Sequence, residues 1–67
     1  MNMELWDRIT ALARERGKPA YVLLQLAGVA ASTIKLIREG YIPKRADTRR
    51  RIAEALGVSP EDLFGQG

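Results

Sequence analysis

The chain contains no cysteine and no histidine. Both absences remove chemistry: no disulfides, no thiol nucleophile, no imidazole for proton transfer, and none of the usual zinc ligand sets. No apolar run approaches the roughly 18 residues that a membrane span requires. No window alternates apolar and polar residues with period two, so no strand is expected. There are no paired carboxylates on one face and no glycine-rich phosphate loop, and 67 residues leave too little chain for an enclosed substrate pocket. An enzyme, a small-molecule substrate, a cofactor and a bound metal are therefore not expected. The start, Met1-Asn2-Met3-Glu4, has no basic region leading into an apolar stretch. No secretory leader is expected, and the default is a cytoplasmic protein, nucleoid-associated if bacterial.

What is present is enough apolar residue for a core. The hydrophobic fraction is 46%, too high for a disordered tail. One domain spanning 1–67 is expected. A chain this short buries only about 60% of its unfolded surface, so its stability margin is thin. The net charge of +3 says little by itself, but its distribution says more. Residues 1–34 carry four basic and three acidic groups. Residues 35–51 carry seven basic groups (Lys35, Arg38, Lys44, Arg45, Arg49, Arg50, Arg51) against Glu39 and Asp47, a net of +5, and residues 52–67 carry only Glu54, Glu61 and Asp62. One contiguous basic stretch is what a polyanion-binding surface requires.

Glycine and proline punctuation divides the chain into five short helical segments. The first runs from about Glu4 to Arg16, with Leu5, Ile9, Leu12 and Ala13 on one face, Trp6 at its edge, Asn2 as the better cap and Gly17 as its close. The second runs from about Ala20 to Ala27; Leu23, Leu26 and Ala27 are expected inward, Tyr21 and Gln25 outward. The third runs from about Ala31 to Glu39, closed by Gly40. The fourth runs from about Asp47 to Leu56, with Ile52, Ala53 and Leu56 inward and Gly57 as its close. The fifth is a single turn in which Ser59 caps, Pro60 takes the first helical position, and Leu63 and Phe64 return to the core. Short helices with short connections predict a compact all-α domain.

Segments two and three are separated only by Gly28-Val29-Ala30. A three-residue turn containing glycine between two short helices is helix-turn-helix spacing, here over about 20–39. The run Leu26-Ala27-Gly28-Val29-Ala30-Ala31-Ser32-Thr33-Ile34-Lys35-Leu36-Ile37-Arg38-Glu39-Gly40 resembles the lambda-repressor-like (Cro/repressor, or xenobiotic-response-element type) family, with its Ala-Gly-Val-Ser-x-Ser-Thr-Ile-x-x-Ile-x-x-Gly pattern. Asp47 to Phe64 looks like that family's fourth and fifth helices, in order and in register. The resemblance covers nearly the whole chain. It implies a five-helix domain of transcription-regulator type that binds double-stranded DNA through its third helix.

The departures from the family pattern matter as much. The residue that often contacts phosphate at the start of the second helix is Ala20, the turn serine is Ala30, and the first recognition-helix residue is Ala31. Arg38 stands where the family often has Glu, so the family's buried ion pair is not expected. The family's contacts therefore cannot all be carried over, and helix geometry has to assign them. With Ile34 and Ile37 buried, Thr33 and Arg38 flank the stripe, and Ser32, Lys35, Leu36 and Glu39 face away with Ala31 at the margin. Ala31, Ser32, Lys35 and Leu36 become the base-edge candidates: Lys35 for guanine, Ser32 for several bases, Ala31 and Leu36 for thymine methyls. Lys44, Arg45 and Arg49, around the loop and the start of the fourth helix, are assigned to phosphate, with Lys18, Tyr21 and Thr33 as secondary candidates.

Plainer readings stand beside these. Lys35 can be an ordinary solvated lysine, Leu36 a half-buried flank residue, Tyr21 a cover for the core edge and Trp6 a core residue. Arg49, Arg50 and Arg51 fan around the helix, so all three cannot touch one strand. The rival function is a protein-interaction module of helix-turn-helix shape, antitoxin-like or adaptor-like, docking through Ala30, Ala31 and Leu36. The strong helix formers, clean caps and short Gly65-Gln66-Gly67 ending also fit a designed or re-engineered binder, or an excised domain. With little apolar surface expected outside the third helix and its turn, a monomer is expected in free solution, with at most a weak dimer on DNA.

Overall fold

The computed structural model describes residues 4–65, and all of their regular structure is helical: α1 (Glu4–Glu15), α2 (Ala20–Leu26), α3 (Ala31–Arg38), α4 (Ala46–Leu56) and α5 (Pro60–Phe64). The expected cap Asn2 lies outside the described residues. None of the described helices is long and apolar enough to cross a membrane.

α1 is the central helix. Leu5, Ile9 and Ala13 recur every four residues, so they stack along one face, and all three are buried. Trp6 and Leu12 flank that row and are partly buried against the core. This face packs on all four other helices. Glu4 and Asp7 in the first turn and Arg14 in the last suit the helix dipole. Arg8 adds an exposed pair with Glu4 at 2.9 Å and reaches the Leu63 carbonyl at 3.3 Å, tying α1 to α5.

α2 corrects the sequence reading. Leu26, expected inward, is 73% exposed, whereas Leu24 is fully buried. The reason is angular. Ala20 and Leu24 stand one turn apart and both enter the core; at 100° per residue, Leu26 then lies about 200° round from Leu24 and must face out. Leu23 and Ala27 occupy the half-buried margins. Tyr21 and Gln25 point outward as expected.

α4 buries Ile52, Ala53 and Leu56, the three residues its spacing selects. It begins one residue earlier than expected, at Ala46, with Arg45 as a cap that makes no side-chain bond. Gly57 ends it at φ +75°, a left-handed conformation that most residues resist. A Cβ at Gly57 would also meet the Arg16 guanidinium, which lies across this turn. α5 forms as its sequence dictates. Ser59 Oγ accepts from the Asp62 backbone N–H at 3.1 Å, Pro60 opens the helix, and Leu63 is buried.

α3 is the least enclosed helix. It packs on α1 and α2 but not on α4 or α5. Ile34 and Ile37 provide its buried stripe, and Val29 in the preceding turn is buried in the same core. Gly28 makes the sharp turn at φ +89°, and the Val29 N–H returns to the Leu24 carbonyl at 3.0 Å. The domain that results measures 28 × 22 × 20 Å. No polar or charged residue is buried among the described residues, in keeping with the absence of a buried ion pair.

Candidate nucleic-acid interface

The two sides of α3 differ in kind. Ile34 and Ile37 hold it to the core, while Ala31, Ser32, Lys35, Leu36 and Arg38 are all exposed. Thr33 is half-buried on the flank. Leu36 keeps 47% of its surface exposed, so nearly half of an apolar residue is not used by the fold. The N-terminus of α3 has no side-chain cap, because the residue there is Ala30. That leaves the first-turn N–H groups without a side-chain acceptor.

The cations of the basic stretch separate into two groups. Those of α4 are engaged within the fold. Arg49 Nε donates to the Pro43 carbonyl at 2.7 Å, and its guanidinium lies 5.3 Å from the centroid of the Phe64 ring. Arg50 and Arg51 both pair with Asp47, at 2.7 and 3.1 Å. Arg51 also reaches the Gly28 carbonyl at 3.4 Å, linking α4 to the turn between α2 and α3. Lys35, Arg38, Lys44 and Arg45, by contrast, are exposed and have no ion-pair or hydrogen-bond partner among the described residues. Sequence position could not make this division, since it depends on where Asp47, Pro43 and Phe64 come to lie. For Arg49 the structure adds a fold-internal role to the phosphate role expected of it.

The loop carrying Lys44 and Arg45 is held at Tyr41, whose N–H donates to the Leu36 carbonyl at 2.9 Å, and at Pro43. Pro43 is fully buried. Its carbonyl takes the Arg49 bond, so the basic residues leave the core from a fixed base.

Of the expected contacts, Tyr21, Ala31 and Lys35 line one depression and Lys44 and Arg49 another that shares no residue with it, while Ser32, Thr33, Leu36 and Arg45 line neither. The first is a groove between α1, α2 and α3, whose lining includes Trp6, Tyr21, Gln25, Ala31, Lys35 and Arg38. The second contains Lys44, Arg49 and Arg50 beside the start of α5. Lys18 lines a separate, smaller depression that shares Thr10, Pro19 and Ala20 with the groove. Arg38 and Gln25 were not among the expected contacts. The available signal was helical: Arg38 lies seven residues after Ala31 and three after Lys35, on the same side of α3. Trp6 packs against the core as its plainer reading had it, while also lining the groove.

No group of three or more acidic residues that could hold a metal ion occurs among the described residues. Comparison with protein families, with curated proteins and with solved structures gave no match.

Proposed function

We propose that this protein binds duplex DNA, with the exposed face of α3 in the major groove and the loop carrying Lys44 and Arg45 on the phosphate backbone. The resemblance to lambda-repressor-like domains suggested this reading. The observation that carries it is the set of unpartnered cations, Lys35, Arg38, Lys44 and Arg45, on α3 and the loop that follows it. A basic residue kept for stability would be expected to sit near a carboxylate or carbonyl, as Arg49, Arg50 and Arg51 do. Cations left free beside a protruding helix are available to release counterions from a polyanion.

The roles follow from helix geometry and groove chemistry. Ala31, Ser32, Lys35 and Leu36 would face base edges, Lys35 donating to guanine O6 and N7 and Leu36 packing on a thymine methyl. Lys18, Tyr21, Thr33, Lys44 and Arg45 would hold the phosphates that fix register. The activity is binding, of transcription-regulator type, and needs neither cofactor nor metal.

The competing reading, a protein-docking module, draws support from Leu26 and Leu36, at 73% and 47% exposed. A salt titration separates the two. Duplex binding should weaken with a slope of log K against log salt of roughly −3 to −5, for about four to six phosphates neutralised. A flat response, or no binding to any duplex, would reject the DNA reading and leave apolar docking.

A further inference from the structure

We infer that the groove between α1, α2 and α3 seats the sugar-phosphate backbone of one DNA strand, and that Arg38 and Trp6 contact that strand. This rests on the duplex-binding reading above and extends it to Arg38 and Trp6, to which that reading assigns no contact.

The first argument is continuity. Ala31, Lys35 and Arg38 line the groove at i, i+4 and i+7, so one of its walls is a single row along the whole of α3. Ala31 and Lys35 also stand on the face assigned to base edges. A helix lying in the major groove has a backbone strand along each flank. A depression that opens directly from the reading face is therefore where one of those strands would run. The depression beside Lys44 shares no residue with it, which leaves that surface for another part of the backbone.

The second argument is charge. Lys35 and Arg38 bring two cations to the groove, and neither has a partner among the described residues. Glu39 is the acidic residue of the lining, and it pairs with neither of them. The balance favours an anion and sets its position: a phosphate would lie against Arg38 and away from Glu39, with Lys35, the base-edge candidate, adding to the positive potential. The third argument is the opposite wall. Trp6 is partly exposed and Tyr21 is 55% exposed, with Pro19 beside them. Aromatic and proline surface is poorly matched to water but suits the apolar edge of a deoxyribose, while the Tyr21 hydroxyl and the Gln25 amide are free to bond phosphate oxygens.

The test uses the full chain and short labelled duplexes. Trp6 is the only tryptophan, so its emission reports directly on the groove and should change on adding duplex. Arg38→Gln should lower the magnitude of the salt slope by about 0.9, and weaken a preferred and a scrambled duplex by the same factor. Glu39→Gln should tighten both duplexes several-fold. Arg16→Gln, a cation outside both depressions, should leave the slope unchanged. Thermal melts matching the parent would exclude misfolding as the cause. If the parent binds duplex but Arg38→Gln keeps its slope and Trp6 emission does not move, the groove assignment is wrong and the duplex reading survives. If Arg38→Gln instead changes preference at one base pair, Arg38 reads a base edge and the backbone assignment falls. If the parent binds no duplex, both readings fall.

Discussion

Arg49 donates from Nε to the carbonyl of Pro43 at 2.7 Å, and this bond joins the middle of the basic stretch to its own loop. Pro43 is fully buried, so the acceptor is fixed, and the Phe64 ring beneath the guanidinium fixes the donor from the other side. A residue whose sequence position suggested a phosphate contact is thus also a brace for the neighbouring cations Lys44 and Arg45. Replacing it should therefore cost stability as well as binding. A hydrogen bond to a charged group contributes about 1.5–3 kcal/mol, and partial exposure puts this one near the low end. Arg49→Met is expected to lower unfolding free energy by about 1–2 kcal/mol in urea denaturation. A variant that binds DNA more weakly with unchanged stability would show Arg49 to be a phosphate contact alone.

Lys35 and Lys44 are both free lysines, yet they should fail differently. Lys35→Ala should relax preference at one base pair, most readily a G·C, and cost about 1–3 kcal/mol on the preferred site. Lys44→Ala, like Arg45→Ala, should weaken all sequences alike and shorten the salt slope by about one. Selection from a random duplex pool with each variant makes the comparison. Uniform weakening by Lys35→Ala would move Lys35 to the backbone and shift the docking of α3.

Leu24 and Leu26 are two residues apart on one helix and should differ strongly in their cost. Leu24 is fully buried, so Leu24→Ala should destabilise by about 2–5 kcal/mol, enough to unfold much of a domain this small. Leu26 is 73% exposed, and Leu26→Gln should stay within about 0.5 kcal/mol of the parent. Paired denaturation curves decide this. Equal losses at both positions would mean that Leu26 is covered in solution.

The N-terminus of α3 offers a stabilising change. Ala30 holds extended backbone at φ −64° and ψ 145°, the geometry of a cap, but has no side chain to accept from the first turn. Ala30→Ser supplies that oxygen and should raise stability by about 0.5–2 kcal/mol. Thermal unfolding would measure the gain; no gain would mean that the first-turn amides already have an acceptor.

A monomer remains the expected state in free solution. Stable dimers bury on the order of 1,000 Å² or more. The exposed large apolar residues, Tyr21, Leu26, Leu36, Tyr41 and Ile42, are spread over two helices and a loop. Sedimentation at micromolar concentration should give one-chain mass for the parent. A two-chain mass that reverts in Leu26→Gln would place the contact on α2.

Much of the fold was legible in the sequence because local rules and packing agree. The Ser59-Pro60 cap, the turn at Gly28 and the close at Gly57 follow from residue types whose backbone preferences few contexts override. The buried rows of α1, α3 and α4 follow from helical spacing on segments long enough, or apolar enough on one side, to leave a single choice. α2 did not have that property. Its seven residues include four large apolar side chains, Val22, Leu23, Leu24 and Leu26, so spacing alone admits more than one inward face. The packing of α1 and α4 against α2 chose Leu24 and put Leu26 outside. The candidate site divides in the same way. Periodicity was enough to find the outward residues of α3, because burying Ile34 and Ile37 fixes the rest of the helix. Which cations are free was decided only by tertiary structure: ion pairs and hydrogen bonds depend on distances of a few ångströms between groups on different elements, as between Arg49 and Pro43 or Arg51 and Gly28.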